Sequence, residues 1–276
     1  MNLVVQGPAV QAAHAAEIAR LAGARDVQQL AATAFRLRDA RDNPAVRERC
    51  RELRLDCAFI AAGRRFADLK LLALDMDSTL ITIECIDEIG DLAGRKAEIS
   101  EITARAMRGQ VDYAESLRQR VALLAGLRLE SLEQVYRERL RLSPGAEQLI
   151  AACKAHGVKL LLVSGGFSFF TDRLKQRLGL DYTISNALEL EDDRLTGGLV
   201  GRIVDADAKA ARFREVARAL GAAREQTVAI GDGANDLKMM AEAGLSVAYR
   251  AKPVVKAQAG CALDFSGLDG VLPLFE

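Results

Sequence analysis

Histidine and paired cysteine are what this sequence conspicuously lacks. Its 276 residues hold only two histidines, His14 and His156, far apart and each beside alanine. The five cysteines, Cys50, Cys57, Cys85, Cys153 and Cys261, are odd in number and scattered, with no C-x-x-C pair. These absences argue against a zinc site and against histidine-activated nucleophiles, and point to reduced thiols and a cytoplasmic address. Each cysteine reads as a small buried apolar residue. Excess charge is missing too. Lysine plus arginine and aspartate plus glutamate number 38 each, so no global field favours nucleic acid or anionic lipid. No apolar run reaches membrane-spanning length. The N-terminal MNLVVQGPAVQAAHAAE has no charged segment followed by an apolar one, so no secretory signal is expected. What is present is 50% apolar and 28% charged residues with mean hydropathy +0.05. That composition can build a soluble core of one large domain or two to three smaller ones. Chemistry here must run on carboxylates.

The hydrophobic pattern divides the chain. Residues 1–68 show a β-α-β-α-β rhythm: a strand at Leu3 to Val5, a helix from Ala9 to Leu21, a strand region from Val27 to Leu37, a helix from Ala45 to Leu53 and a short apolar run from Cys57 to Ala62. About three strands can be placed in this small α+β domain. The basic stretch at Arg64-Arg65, with Asp68 to Lys70, reads as a linker. Residues 83–142 carry helical spacing only, with Ile86, Ile89 and Ala93 on one face and Leu117, Val121 and Leu124 on another, and read as a helical insert. Residues 69–82 and 143–276 alternate strand and helix. Ser143-Pro144 reads as an N-cap followed by proline at the first helical position; Leu149, Ile150 and Cys153 form that helix's apolar side. Residues 182–204 read as a hairpin. The expected fold class is α/β: a Rossmann-like parallel sheet with helices on both faces, a helical cap inserted after the first core strand, and the small N-terminal domain.

Three strand ends carry polar clusters. Leu71 to Ile81 reads LLALDMDSTLI, an apolar strand that breaks into Asp75 and Asp77. In an extended chain two residues so spaced share a face. Two like charges ~4 Å apart repel by roughly 4 kcal/mol at an effective dielectric near 20, so a cation or a reaction should be the reason for them. Ser164-Gly165-Gly166 ends a second buried strand, and Gly231 to Asp236 (GDGAND) ends a third. In a parallel sheet these ends meet on one edge. That brings Asp75, Asp77, Asp232 and Asp236 together with Ser164, Thr79 and glycine amides able to hold phosphate oxygens. Oxygen donors without histidine or thiolate suit Mg²⁺. Lys209, opening a helix, could supply a fixed positive charge.

The D-x-D-x-T motif of residues 75–79 resembles that of the haloacid dehalogenase superfamily. The blocks I-E-C-I-D-E-I at 83–89, A-M-R-G at 106–109, S-L-x-x-R-V at 116–121, V-S-G-G-F at 163–167 and G-D-G-A-N-D at 231–236 look like those of bacterial phosphoserine phosphatases. The resemblance spans about residues 70 to 265. It implies Asp75 as nucleophile and Asp77 as general acid and base, with Ser164, Lys209 and Asp232 in the remaining motifs. It implies Mg²⁺ held by the Asp75 carboxylate, the Asp77 main-chain carbonyl and Asp232, supported by Asn235 and Asp236. Asn235 and Gly165 would also contact substrate. By the same likeness Glu84 would hold a substrate ammonium and Arg120 its carboxylate, with Met107 and Tyr113 shielding it; Tyr113 stands where the family often has phenylalanine. An anion and a guanidinium do suit a zwitterion.

The expected function is therefore Mg²⁺-dependent hydrolysis of O-phospho-L-serine to L-serine through an aspartyl-phosphate, the last step of serine biosynthesis. A phosphotransferase passing the group to an alcohol such as homoserine would use the same residues, and a non-catalytic phospho-metabolite sensor would not need to keep them. The expected partner is the small-molecule substrate, with no nucleic acid and no membrane. Relatives often carry a leading domain, in some cases an amino-acid-sensing one of ferredoxin-like topology. Three strands are too few for that fold, so homodimerisation or a structural role weighs at least as much as regulation.

Overall fold

The computed structural model describes residues 1–276. The leading segment runs β1 (Asn2–Gln6), α1 (Ala12–Ala22), β2 (Asp26–Ala31), β3 (Ala34–Arg38), α2 (Pro44–Glu52) and β4 (Asp56–Ile60). The stretch Val27 to Leu37 is thus two strands, paired antiparallel. This corrects the count of three. The connection is only two residues long, so apolar spacing alone reads through it. The four strands lie in the order β2-β3-β1-β4, and the element order is that of the ferredoxin-like split βαβ. Alternation gives the sheet two different faces. Leu3, Val5, Phe35 and Leu37 pack on Ile18 of α1 and on Val46 and Cys50 of α2. Val4, Ala58 and Ile60 turn the other way, into the main core with Leu268, Val271 and Leu274.

That second face grips the C-terminal segment. Arg36, opposite Val4 in register, donates through Nη2 to the carbonyls of Pro273 (3.1 Å) and Phe275 (2.5 Å). Gln6 Nε2 donates to Gly270 O. The Asp56 carboxylate accepts the N–H groups of Asp264, Phe265 and Ser266 at 2.7 to 3.3 Å. Residues 64–70, expected as a linker, are docked as well. Phe66 is buried and meets His156 and Phe275 edge to face.

The main sheet has seven strands: β5 (Leu71–Leu74), β6 (Lys159–Phe167), β7 (Tyr182–Glu191), β8 (Arg194–Val200), β9 (Thr227–Gly231), β10 (Leu245–Tyr249) and β11 (Cys261–Leu263). Their order is β11-β10-β9-β5-β6-β7-β8. All neighbours are parallel except the β7/β8 hairpin. Strands buried on both faces read as unbroken apolar runs, and β5 is one. Leu72 and Leu74 face the cluster that includes α7 (Ala146–Ala155) and α8 (Ser168–Leu178), while Leu71 and Ala73 face α9 (Ala206–Ala219) and α10 (Leu237–Glu242). Helix α11 (Pro253–Lys256) follows β10.

Between β5 and β6 come α3 (Cys85–Leu92), α4 (Lys96–Met107), α5 (Tyr113–Ala122) and α6 (Leu129–Gln134), the last running on as a wider turn through Arg139. Their apolar sides, Ile86, Ile89, Leu117, Val121 and Leu124 among them, join the main core. The architecture is the expected α/β class with its helical cap and N-terminal α+β unit. One start signal differs. Helix α7 begins at Ala146, with Gly145 at the N-cap (φ 77°) rather than Ser143. Ser143 is buried and closes the preceding turn through its carbonyl, which accepts Ala146 N–H. A left-handed φ there favours glycine.

Candidate active site

β9, β5 and β6 are adjacent and level, Leu74 pairing with Ile230 on one side and Leu162 on the other. Asp75, Ser164 and Asp232 therefore emerge at one edge. Strand alternation does not by itself bring Asp75 and Asp77 together, as an extended chain would have done. The strand ends at Leu74, and Met76–Leu80 form one wide turn in which Ser78 takes a left-handed conformation (φ 55°). The turn is closed by Leu80 N–H to Asp75 O and Ile81 N–H to Met76 O. It turns both carboxyls into a cavity of about 300 Å³ between core and cap.

Every expected substrate-side residue lines this cavity: Glu84, Met107, Tyr113, Arg120, Gly165 and Asn235, together with Asp75, Asp77 and Asp232. Met107 does so with 67% of its surface still exposed. Ser164 and Lys209 stand directly behind it, both fully buried. Ser164 Oγ accepts the N–H of Gly166 at 2.8 Å and donates to Asp77 Oδ2 at 3.4 Å. A side chain at Gly166 would collide with Asp77 Oδ2, 2.6 Å from where its Cβ would sit. The close approach of backbone to carboxylate thus requires glycine.

Lys209 is set by its helix. Asp205 caps α9 by accepting Ala208 N–H at 2.8 Å, which puts Lys209 in the first turn. From there Nζ reaches Asp75 Oδ1 at 2.9 Å and Asp236 Oδ1 at 2.7 Å. Burial would strip its proton, but the two carboxylates outweigh that and hold the ammonium charged well above the ordinary lysine range. The carboxyls respond to their surroundings in the opposite sense. Burial, followed by the nearby Asp236 charge, drives Asp75 up. Burial and then the Glu84 charge push Asp77 to about 7, against the N–H of Cys85, which donates to its Oδ1 at 2.9 Å. Burial and Asp236 push Asp232 to about 6.

Ligand oxygens of Asp75, Asp232 and Asp236 lie within 4.8 Å of one another. Asp236 is already engaged, taking Lys209 on Oδ1 and Gly233 N–H on Oδ2, whereas Asp232 has only Thr79 Oγ1 at 3.2 Å. This all-oxygen, mutually repelling set, with Asp75 and Asp236 buried and Asp232 half-buried, fits a hard divalent cation.

On the cap side Asp112 caps α5, accepting Glu115 N–H at 2.8 Å, and the first residue of the helix, Tyr113, donates from its hydroxyl to Gly165 O at 3.3 Å. Ser78 Oγ donates to Glu84 Oε1 at 2.6 Å, tying the Asp75–Asp77 turn to the cap entrance. Arg120 has no carboxylate partner; its Nε donates to Ser116 O at 3.3 Å. Lys252 and Ser116 also line the cavity, although their residue types gave neither a role in the sequence. Lys252 follows β10, a fourth strand ending on the same edge, and its N–H donates to Asp232 O. Ser116 lies one helical turn from both Tyr113 and Arg120, so α5 periodicity was the available signal.

The haloacid dehalogenase-like hydrolase family matches residues 72–241, and a domain of unknown function matches residues 3–49. A phosphoserine phosphatase of Polaromonas sp. (strain JS666) is 58% identical over 217 residues, 77% of this chain and 92% of that protein. The unliganded crystal structure of a probable phosphoserine phosphatase from Vibrio cholerae superposes with a TM-score of 0.87 at 41% identity, covering 99% of this chain and 85% of the other. A phosphoserine phosphatase determined as a phospho-aspartyl intermediate analogue gives 0.71 at 39% identity, covering 75% of this chain and 99% of that one. Likeness that extends through the core strands and the cap at such identity makes the chain a member of the phosphoserine phosphatases, enzymes among the haloacid dehalogenase-like hydrolases.

Proposed function

We propose that the protein hydrolyses O-phospho-L-serine to L-serine and phosphate with Mg²⁺ as cofactor, in the cytoplasm, as the last step of serine biosynthesis. One observation carries the reading. A single cavity has a lysine-bound carboxylate and a second carboxyl of pKa about 7 at its core end, and an unpaired guanidinium with a glutamate at its cap end. The likeness to phosphoserine phosphatases supports the same substrate.

In this reading Asp75 attacks phosphorus. An Asp75 O–P bond forms as the bond from phosphorus to the serine oxygen breaks, and Asp77 gives its proton to that oxygen. A carboxyl near pKa 7 is protonated in a useful fraction at neutral pH, which suits a general acid. Asp77, now ionised, takes a proton from water, whose oxygen attacks the phosphorus and releases phosphate from Asp75. Lys209 holds Asp75 in place, and the Gly165 and Gly166 backbone faces the phosphoryl group. Mg²⁺ would be held by the Asp75 carboxylate, the Asp77 main-chain carbonyl and Asp232, with Asn235 and Asp236 behind them; bound there, it neutralises charge on the phosphoryl oxygens. Glu84 takes the substrate ammonium and Arg120 the carboxylate, under Met107 and Tyr113. The exposed edge strand β2 supports a dimerising role for the N-terminal sheet, which sedimentation would test.

Phosphate release from phosphoserine with Mg²⁺, and its loss in EDTA, tests the function. No release under these conditions would overturn it. Release accompanied by a new phosphoester when homoserine is added would replace hydrolase by phosphotransferase.

A further inference from the structure

Ser116 carries a hydroxyl that nothing in the protein satisfies. The residue is 1% exposed, its Oγ has no hydrogen-bond partner, and it lines the cavity. Four buried side-chain polar atoms are left unpartnered: His14 Nδ1, Ser116 Oγ, Tyr249 OH and Ser266 Oγ. Of these only Ser116 faces the active-site cavity. Buried polar groups are paired in the great majority of cases, so an orphan in a cavity wall calls for an explanation. A helical serine commonly bonds back to the carbonyl four residues earlier. Here that carbonyl, Asp112 O, takes Ser116 N–H at 2.9 Å, and the hydroxyl forms no such bond.

The position limits what the hydroxyl can meet. Tyr113, Ser116, Leu117 and Arg120 form the cavity face of α5. The phosphoryl end belongs to Asp75 and Lys209 on the core, and Glu84, the ammonium partner, is tied to Ser78. Arg120 is one helical turn from Ser116, and its guanidinium donates to no carboxylate. We propose that Ser116 is a second anchor for the substrate carboxylate, donating from Oγ to one oxygen while the Arg120 guanidinium takes the other; this rests on the phosphoserine reading above. The next residue, Leu117, is buried and apolar and lines the same wall. A site whose buried donor is left unpaired by the wrong ligand discriminates against it. Ser116 thus makes the enzyme selective for amino-acid phosphates over amine phosphates without a carboxylate.

The experiment compares wild type with Ser116→Ala on phosphoserine and on phosphoethanolamine, which keeps phosphate and ammonium but lacks the carboxylate. The expected result is a roughly tenfold fall in kcat/KM for phosphoserine, carried by KM and equal to about 1.4 kcal/mol. For phosphoethanolamine the change stays below about twofold on that same scale. Competitive inhibition by serine and by ethanolamine gives the same comparison without turnover of the analogue. The melting temperature of Ser116→Ala should hold or rise, since an unsatisfied hydroxyl is removed. A structural role would lower it and move both substrates alike. Equal losses on the two substrates, or none on phosphoserine, overturn the assignment while leaving the phosphatase reading intact. Failure of wild type to turn over phosphoserine overturns both.

Discussion

Lys209 Nζ lies 2.9 Å from Asp75 Oδ1 with both side chains withdrawn from water. The same ammonium also holds Asp236, so one cation compensates two carboxylates, with Asp232 beside them. Removing different members of the group should have opposite effects on stability. Asp75→Asn deletes the proposed nucleophile and one repelling charge. Turnover should fall by on the order of 10⁴-fold or more while the melting temperature is kept or raised. Lys209→Ala deletes the compensating charge. Breaking a buried pair from one side costs roughly 3–5 kcal/mol, or roughly 10 °C at about 2–4 °C per kcal/mol for a chain of this size. Phosphate-release assays and calorimetry on the two variants check this. An unstable Asp75→Asn alongside an unaffected Lys209→Ala would contradict it.

The raised carboxyls predict how stability depends on pH and metal. Asp232 and Asp77 titrate near 6 and 7 in the folded protein against an ordinary 3.8. The folded state then binds more protons than the unfolded one between those values, so metal-free protein loses stability as pH rises from about 4 through 7. Below about 4 both states are protonated and the penalty vanishes. A divalent cation relieves the same repulsion. The gain in melting temperature from Mg²⁺ should therefore be larger at pH 8 than at pH 5, by at least about 4 °C. A gain independent of pH would rule out these carboxylates as the metal site.

Arg120, with no carboxylate partner of its own, should matter in proportion to the substrate's carboxylate. Arg120→Ala should cost roughly 30- to 100-fold in kcat/KM on phosphoserine, the range of a charge-assisted hydrogen bond. On a generic aryl phosphate the loss should be small. Parallel losses on both substrates would show that Arg120 shapes the cap rather than reading the carboxylate.

Asp56 ties the N-terminal sheet to the C-terminal segment by accepting three consecutive main-chain N–H groups. Asp56→Ala should lower stability by roughly 2–4 kcal/mol, because the stranded donors lose their partners in a partly buried seam. The kinetic constants should change little, since Asp56 does not line the cavity. Thermal melts and steady-state assays on one preparation separate the two effects.

The chemistry-bearing segments were legible because each is short, contiguous and costly to keep without a purpose. Asp75 and Asp77 follow an apolar strand, Ser164 follows the apolar run of another, and Asp232 and Asp236 follow a third. Parallel-sheet geometry requires such ends to meet. The helical spacing of residues 83–142 likewise announced a cap. Less legible were places where a single residue of turn geometry decides the outcome. The two-residue connection between Ala31 and Ala34 hid a fourth strand, and Gly145 moved a helix start away from Ser143.

The linear order of residues by itself thus determined the fold class and the reaction type, because strand, helix and D-x-D-x-T signals are local and survive without neighbours. Tertiary structure alone decided the rest. Desolvation and the Glu84 charge set the protonation of Asp77, a through-space effect between groups that only the folded turn brings together. The C-terminal segment became a strap under the first sheet because carbonyls at 270–275 and amides at 264–266 found partners more than two hundred residues away. Ser116, ordinary in the sequence, became a candidate carboxylate anchor because the packed cap leaves its hydroxyl facing the cavity with no partner.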